Sequence, residues 1–334
     1  MDHRALSLVF VALLATPLFA AIDLPASWAV VGGEFTYSVR KGDSLSSLSA
    51  RFGVPEKVLA RDNALTAPYR LKAGMGLKVY NAHLVPTHLD EGILINIPQR
   101  MLFLFRDGKV AGAYPVALGR RDWKTPAGSF YVAQRETKKT WIVPPSIQEE
   151  MRRSGKPVLT RVLPGPDNPL GEHWIALSIP GYGIHGTNAP SSIYRMRTHG
   201  CIRLHPDDAR ALYEQVSAGT PVEIVYAPVM LFALPGGPIL VEFNPDVYNR
   251  GVEPVRMLRD LARRHALEAD IDWTRAAALA RAQDGLAREA GRTPGTEAVD
   301  SGRTVAGRGP RSEAVYDMQQ LAGARGACAA DGAR

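Results

Sequence analysis

The chain has 334 residues, 46% of them hydrophobic and 22% charged, with a formal net charge of +7. These are ordinary globular values, and the length allows more than one packed domain. The positive balance favours anionic partners such as nucleic acid, anionic lipid or a wall polymer; with no basic run interleaved with aromatics, no nucleic acid partner is expected.

The N-terminus comes first. Met1 to Arg4 is positively charged, Leu6 to Leu14 is apolar, Thr16-Pro17 breaks the run, and Leu18-Phe19-Ala20 ends on a small residue. That is the layout of a secretory signal over residues 1–20. The run is short for a membrane span, so no stable span is expected and an uncleaved anchor is the weaker alternative. Only Cys201 and Cys328 occur, too few for a disulfide framework. A lone thiol in an oxidising compartment is exposed to damage, so its retention suggests a use; burial as a small apolar side chain is the competing reading.

Residues 35–80 read as strand, helix, helix, strand. Tyr37-Ser38-Val39 alternates like a strand, and Asp43 or Ser44 can cap a helix with Leu45, Leu48 and Phe52 on one face. Gly53 ends that helix, and Pro55 suits the start of a second that turns Val58 and Leu59 inward. Tyr37, Val39, Gly42-Asp43-Ser44-Leu45, Leu48, Phe52-Gly53-Val54, Leu59, Asn63, Leu65, Leu71, Gly74 and Leu77-Lys78-Val79 closely resemble a LysM module. The resemblance implies binding of peptidoglycan glycans through loops near Gly42 to Leu45 and Asn63 to Ala67. Most of the matching apolar residues serve equally well as core.

Asn81 to Leu89 reads as a connector. Short apolar runs follow at Ile93 to Ile97, Met101 to Phe105 and Val110 to Ala117, with Asp107-Gly108 as a hairpin signal. Further strands are expected at Phe130 to Val132, Trp174 to Leu177 and Val222 to Val225. The fold class is therefore mainly β with α: the small βααβ module, then a β-rich barrel or sandwich over residues 90–227. The polar, Pro-rich stretch Lys138 to Asn168, with a helix near Ser146 to Ser154, has the character of a substrate lid. Residues 228–290 read as a hairpin, Val229 to Leu234 with Ile239 to Phe243, plus two helices. Residues 291–334 lack periodicity and are expected to be a disordered tail.

The chemistry concentrates between Ile184 and Leu204. A neutral thiol is a weak nucleophile, and a nearby imidazole can take its proton. His185 and His199 are both candidates, and spacing does not choose between them. On a strand His199 and Cys201 face the same way, and the amides around Gly200 and Cys201 can donate to an oxyanion. The same side chains, with His205, are zinc-type ligands, but without paired spacings no metal and no cofactor are expected. His205, before Pro206-Asp207-Asp208, reads as a helix cap, and Trp123 and Trp141 as packing residues.

His185-Gly186-Thr187 followed by Thr198-His199-Gly200-Cys201-Ile202-Arg203-Leu204 resembles the signature of the YkuD-type L,D-transpeptidase catalytic domains. Val116 to Gly119, Thr125 to Phe130, Pro169-Leu170-Gly171 and Gly219 to Val222 match further landmarks in order. The resemblance implies Cys201 as nucleophile and His185 as base, held by a backbone carbonyl near Gly186. It implies that His199 shapes the pocket, that Gly200 and Cys201 form the oxyanion hole, and that Arg203 braces the site or pairs with a substrate carboxylate. Thr198, which replaces the usual Ser but keeps a hydroxyl, and Tyr194, which stands where many members have Gly, are expected with Arg203 to bind substrate, Tyr194 on the acceptor side. The implied activity is periplasmic acyl transfer from peptidoglycan tetrapeptide stems through a thioester. The acceptor is another stem, giving 3-3 cross-links, or an outer-membrane lipoprotein. Water as acceptor, giving a carboxypeptidase or a lipoprotein-detaching hydrolase, and an inert wall binder are the alternatives.

Overall fold

The computed structural model describes residues 27–234, 236–293 and 315–316. The expected signal, most of the expected tail and Cys328 lie outside the described residues. A short strand β1 (Ala29–Val31) precedes β2 (Glu34–Ser38), α1 (Leu45–Phe52), α2 (Glu56–Asp62) and β3 (Gly76–Tyr80). β2 and β3 pair antiparallel, with Tyr37 opposite Leu77. Ser44 caps α1, its hydroxyl accepting from the Ser47 amide at 3.1 Å. Gly53 closes the helix at φ 68°, a left-handed conformation that glycine adopts without a Cβ penalty. Leu45, Leu48, Val58, Leu59, Leu77 and Val79 are buried together. The Asn63 amide donates to the Leu59 and Lys78 carbonyls at 2.9 and 2.8 Å and accepts from the Lys78 amide at 2.8 Å. Its side chain therefore ties α2 to β3 and is not free for a sugar.

The expected connector carries a strand, β4 (His83–Val85), which pairs antiparallel with β1. Both strands are fully buried. The catalytic-type region then runs β5 (Gly92–Asn96), β6 (Met101–Arg106), β7 (Lys109–Pro115), β8 (Leu118–Gly119), β9 (Gly128–Thr137), β10 (Trp141–Ile142), α3 (Pro145–Arg153), β11 (Arg161–Val162), β12 (His173–Leu177), β13 (Gly183–His185), β14 (Met196–Thr198), β15 (Ile202–Arg203), α4 (Pro206–Gln215) and β16 (Pro221–Val225). Asp107 and Gly108, both at positive φ, make the β6–β7 turn, as the dipeptide predicts.

Eight of these strands form one sheet in the order β15-β13-β12-β9-β16-β5-β6-β7. The sheet curls until its ends meet. Just past β7, Ala117 exchanges two 2.8 Å backbone hydrogen bonds with Arg203 of β15. Ile93, Leu102, Val116, Ile184, Ile202 and Leu212 fill the interior. The seam of this curled sheet is where the His- and Cys-bearing strands lie.

After it come β17 (Val229–Ala233), β18 (Pro238–Phe243), α5 (Pro254–Arg264), α6 (Trp273–Ala282) and β19 (Arg288–Arg292). The molecule is thus mainly β with six α-helices among the described residues. β18 sits between β17 and β19, and Leu258, Leu261 and Ala262 of α5 pack on them. β19 ends at Arg292, one residue past Gly291, where the expected tail begins. Val315–Tyr316 pairs in parallel with β1.

Candidate active site

β13 and β15 run parallel, with Ile184 opposite Ile202 and His185 opposite Arg203. Both isoleucines point into the core. Side chains alternate along a strand, so His185, Arg203 and Cys201, one residue before β15, share the opposite face. They wall a common cavity of about 290 Å³ together with Leu170, His199 and the helix α3.

The turn carrying Cys201 is rigidly held. The Thr198 hydroxyl donates to the Cys201 carbonyl at 2.6 Å and accepts from the Gly200 amide at 3.1 Å. The Gly200 carbonyl accepts from Thr125 Oγ1 at 2.8 Å, and the Thr125 amide donates to the Tyr248 hydroxyl at 2.9 Å. Gly200 has φ 110°, and a Cβ there would lie 2.6 Å from the Tyr182 ring. Two expectations change. Thr198 braces the turn, with its hydroxyl committed to backbone and so withdrawn from substrate. The Gly200 amide is likewise engaged, whereas the Cys201 amide has no hydrogen-bond partner among the described residues.

His185 is buried, and its Nδ1 lies 2.6 Å from the Gly186 carbonyl. A carbonyl only accepts, so Nδ1 carries the hydrogen and Nε2 keeps its lone pair. The ring stacks on Trp174, centroids 5.6 Å apart. Burial, and then the charge of Arg203, hold its pKa down to about 3. The imidazole is therefore neutral at neutral pH. His199 differs. It is partly exposed, meets the Trp123 ring edge-on at 5.0 Å, and lies with Nε2 2.7 Å from Glu150 Oε2.

The half-buried Cys201 thiol lies 3.6 Å from the Gly181 carbonyl. Burial pushes it above the ordinary thiol value, against the Gly183 amide and the Arg203 charge, which favour the thiolate. At neutral pH the free protein thus holds thiol and imidazole both uncharged. Alkylation of Cys201 by iodoacetamide is expected to quicken about tenfold per pH unit from pH 7 past pH 9. A plateau below pH 8 would instead reveal a preformed thiolate–imidazolium pair.

Arg203 Nη1 donates to Ser192 Oγ at 2.9 Å, and its buried Nε has no partner among the described residues. Tyr194, expected on the acceptor side, is elsewhere. Its φ of 63° turns the side chain inward, where it is buried in the core with the Arg100 guanidinium 4.3 Å above its ring. Burial pushes its hydroxyl up to about 12. The next residue, Arg195, reaches the other way, to Ser46 Oγ at 2.9 Å and to Glu56, so this loop docks the N-terminal module. His205 caps α4, accepting from the Asp207 amide at 3.4 Å. Among the described residues no three His, Cys, Asp or Glu side chains are grouped as a metal ion needs, and no helix is long and apolar enough to cross a membrane.

The Lys138 to Asn168 excursion covers the cavity. α3 forms within a residue of its expected bounds, and Trp141, Ile147 and Met151 face the cavity, so Trp141 lines the site and does not merely pack. Asn168 clamps the base, its amide donating to the Lys139 carbonyl at 2.9 Å. Sequence reasoning missed Glu150, Arg120, Thr125 and Tyr248 as individual contributors. Thr125 lay within a matched landmark and Tyr248 within the Pro245-Asp246-Val247-Tyr248 stretch that follows the hairpin, but no local signal marked Glu150 or Arg120.

A family model for the L,D-transpeptidase catalytic domain, YkuD, matches residues 90–224, and one for the LysM domain matches residues 37–79. The chain is 34% identical over 226 residues to the probable L,D-transpeptidase YcfS of Escherichia coli K12, covering 66% of this chain and 71% of that protein. It is 31% identical over 192 residues to the putative L,D-transpeptidase YkuD of Bacillus subtilis, covering 57% of this chain and 98% of that one. Among solved structures it aligns with the catalytic domain of an Enterococcus faecium L,D-transpeptidase at 25% identity, over 42% of this chain and 100% of that one, with a TM-score of 0.33.

Proposed function

This chain belongs to the YkuD family of L,D-transpeptidases, enzymes of peptidoglycan metabolism, with a LysM domain ahead of the catalytic one; on that premise we propose that it works in the periplasm on tetrapeptide stems, with Cys201 as nucleophile and His185 as base. The observation that carries this reading is one wall of the lidded cavity. There Cys201 stands on the same strand face as a buried, neutral His185 whose Nδ1 is committed to the Gly186 carbonyl. That commitment fixes the tautomer, leaving Nε2 as the basic nitrogen of a ring that lines the same cavity as the thiol, which is what proton removal from a thiol requires.

Cys201 Sγ attacks the carbonyl between the L-centre of diaminopimelate and the terminal D-Ala. Its proton passes to His185 Nε2, and the Cys201 amide donates to the oxyanion. The C–N bond breaks, D-Ala leaves with the proton from His185, and a thioester remains. An acceptor amine then attacks the thioester, giving up a proton to His185, which returns it to the thiolate. No nucleotide is needed, because the thioester conserves the energy of the broken peptide bond.

The acceptor is the side-chain amine of a second stem or the C-terminal Lys of an outer-membrane lipoprotein, and the LysM domain holds the glycan meanwhile. Incubation with purified sacculi, with and without a lipoprotein C-terminal peptide, followed by muropeptide analysis, is expected to show D-Ala release. It should also show 3-3 dimers or peptide-linked muropeptides. Tripeptides as the sole product would identify water as the acceptor, and unchanged tetrapeptides would sink the proposal.

A further inference from the structure

The helix α3 that covers the cavity has no buried residue. Most of its side-chain bonds stay within the excursion. Gln148 donates to the Val143 carbonyl, and Arg152 and Arg153 pair with Glu149. Among the described residues, the side-chain bonds of α3 that reach the catalytic body all end on Glu150. Its Oε2 accepts from Arg120 Nη2 at 2.8 Å and lies 2.7 Å from His199 Nε2. One carboxylate oxygen therefore tethers the helix.

The receiving end belongs to the catalytic turn. The Arg120 amide donates to the Thr198 carbonyl at 3.0 Å, and His199 lies two residues before Cys201. Charge in the cavity is lopsided. Lys156, Arg197 and Arg203 line it, and Glu150 is the sole acidic side chain among the described lining residues. Arg120, and after it His199, hold the Glu150 carboxyl down to about 2, so it stays ionised at any working pH. The arrangement is a carboxylate site already filled by a carboxylate of the lid.

We propose that Arg120 and His199 form a subsite for a carboxylate of the donor stem peptide, which Glu150 fills as an internal surrogate while α3 is shut. This rests on the reading of the chain as acting on tetrapeptide stems. Such a stem carries free carboxylates on its γ-linked glutamate, its diaminopimelate and its terminal D-Ala. Arrival of one of them exchanges one anion for another at Arg120 and His199. The exchange releases α3, so that opening of the lid is coupled to recognition of the substrate, while Arg120 Nε keeps its bond to Asp122 at 3.1 Å throughout. Fork-like donation by Arg suits a carboxylate, and the partly exposed setting keeps the exchange cheap.

The test uses the full chain, a synthetic tetrapeptide stem, and three further stems in which each carboxylate is amidated in turn. Acyl-enzyme formation is followed by mass spectrometry. Glu150→Gln, which keeps the size and removes the charge, is expected to lower KM for the free stem about fivefold. Arg120→Ala is expected to raise it about tenfold, with partial rescue in Arg120→Lys. Both effects should vanish with one of the three amidated stems, which names the carboxylate that is read. If Glu150→Gln raises KM or lowers kcat alike for all stems, Glu150 is a strut of the lid and the subsite is refuted. Equal losses on every stem in Arg120→Ala refute it too. Should the unaltered chain form no acyl-enzyme with any stem, the proposed function itself fails, whereas normal acylation with variants indifferent to the carboxylates overturns the subsite alone.

Discussion

Cys201→Ala is expected to abolish D-Ala release and acyl-enzyme formation while leaving the unfolding midpoint close to that of the unaltered chain. The two halves of this expectation have different physical sources. The thiol is half-buried and its hydrogen bond is a long one, 3.6 Å to Gly181. Its removal therefore leaves no well-paired polar group stranded. The turn is held by backbone and hydroxyl bonds of Thr198, Thr125 and Tyr248, none of which uses the sulfur. The chemistry, by contrast, has no substitute nucleophile on that face. Ser192 is tied to Arg203, and the Thr198 hydroxyl is spent within the turn. Mass spectrometry after incubation with a tetrapeptide stem reads the adduct, and thermal unfolding reads the fold. Residual D-Ala release by a well-folded variant would remove Cys201 from the reaction.

How much of this was legible beforehand depended on whether the deciding contact was local. The helix faces of the LysM domain and the Asp107-Gly108 hairpin were readable, because propensity, capping and apolar period act over a few residues. So was the lid helix, which Pro144 and Pro145 start. β1 and β4 were not, since three residues are too few to display a period, and their burial comes from one another. β19 reads as polar, Arg288 to Arg292, and becomes a strand by pairing with β18. Tyr194 was misplaced because a positive φ reverses a side chain without any sign in composition. The motif gathered Cys201 and both histidines, but spacing did not separate His185 from His199; His185 has its partner next door, at the Gly186 carbonyl, whereas the partner of His199 is distant in sequence. Glu150 reaches His199 across 49 positions and Arg120 across 30. Pairings of that range are set by the closing of the sheet and the lie of the lid over it.

Glu242 shows the same limit in the core, and its removal carries the largest expected cost to stability. In β18 it falls within an apolar run, Ile239 to Phe243, and it is fully buried. Its carboxylate accepts from the Leu84 amide at 2.7 Å, from Gln99 Nε2 at 2.9 Å and from Asn244 Nδ2 at 3.1 Å, and His83 Nδ1 lies 3.4 Å away. The other nitrogen of His83 lies 3.0 Å from the Gly53 carbonyl at the end of α1. One carboxylate thus collects donors from β4, from the β5–β6 turn and from its own hairpin, and through His83 it reaches the LysM domain. Glu242→Ala would leave several buried donors with no acceptor and no water, at a cost on the order of 3–5 kcal/mol. For a chain of this size that corresponds to a fall in unfolding midpoint of roughly 4–7 °C. Glu242→Gln keeps the volume and one acceptor oxygen but turns an amide toward donors, so a smaller loss, about 1–3 kcal/mol, is expected. Urea denaturation of the three proteins measures the order. Equal stability of all three would mean that the donors find other partners and that the LysM domain is held without this network, by its apolar contacts and by polar ties such as Arg195 to Glu56 and Ser46 and Arg61 to Asp284.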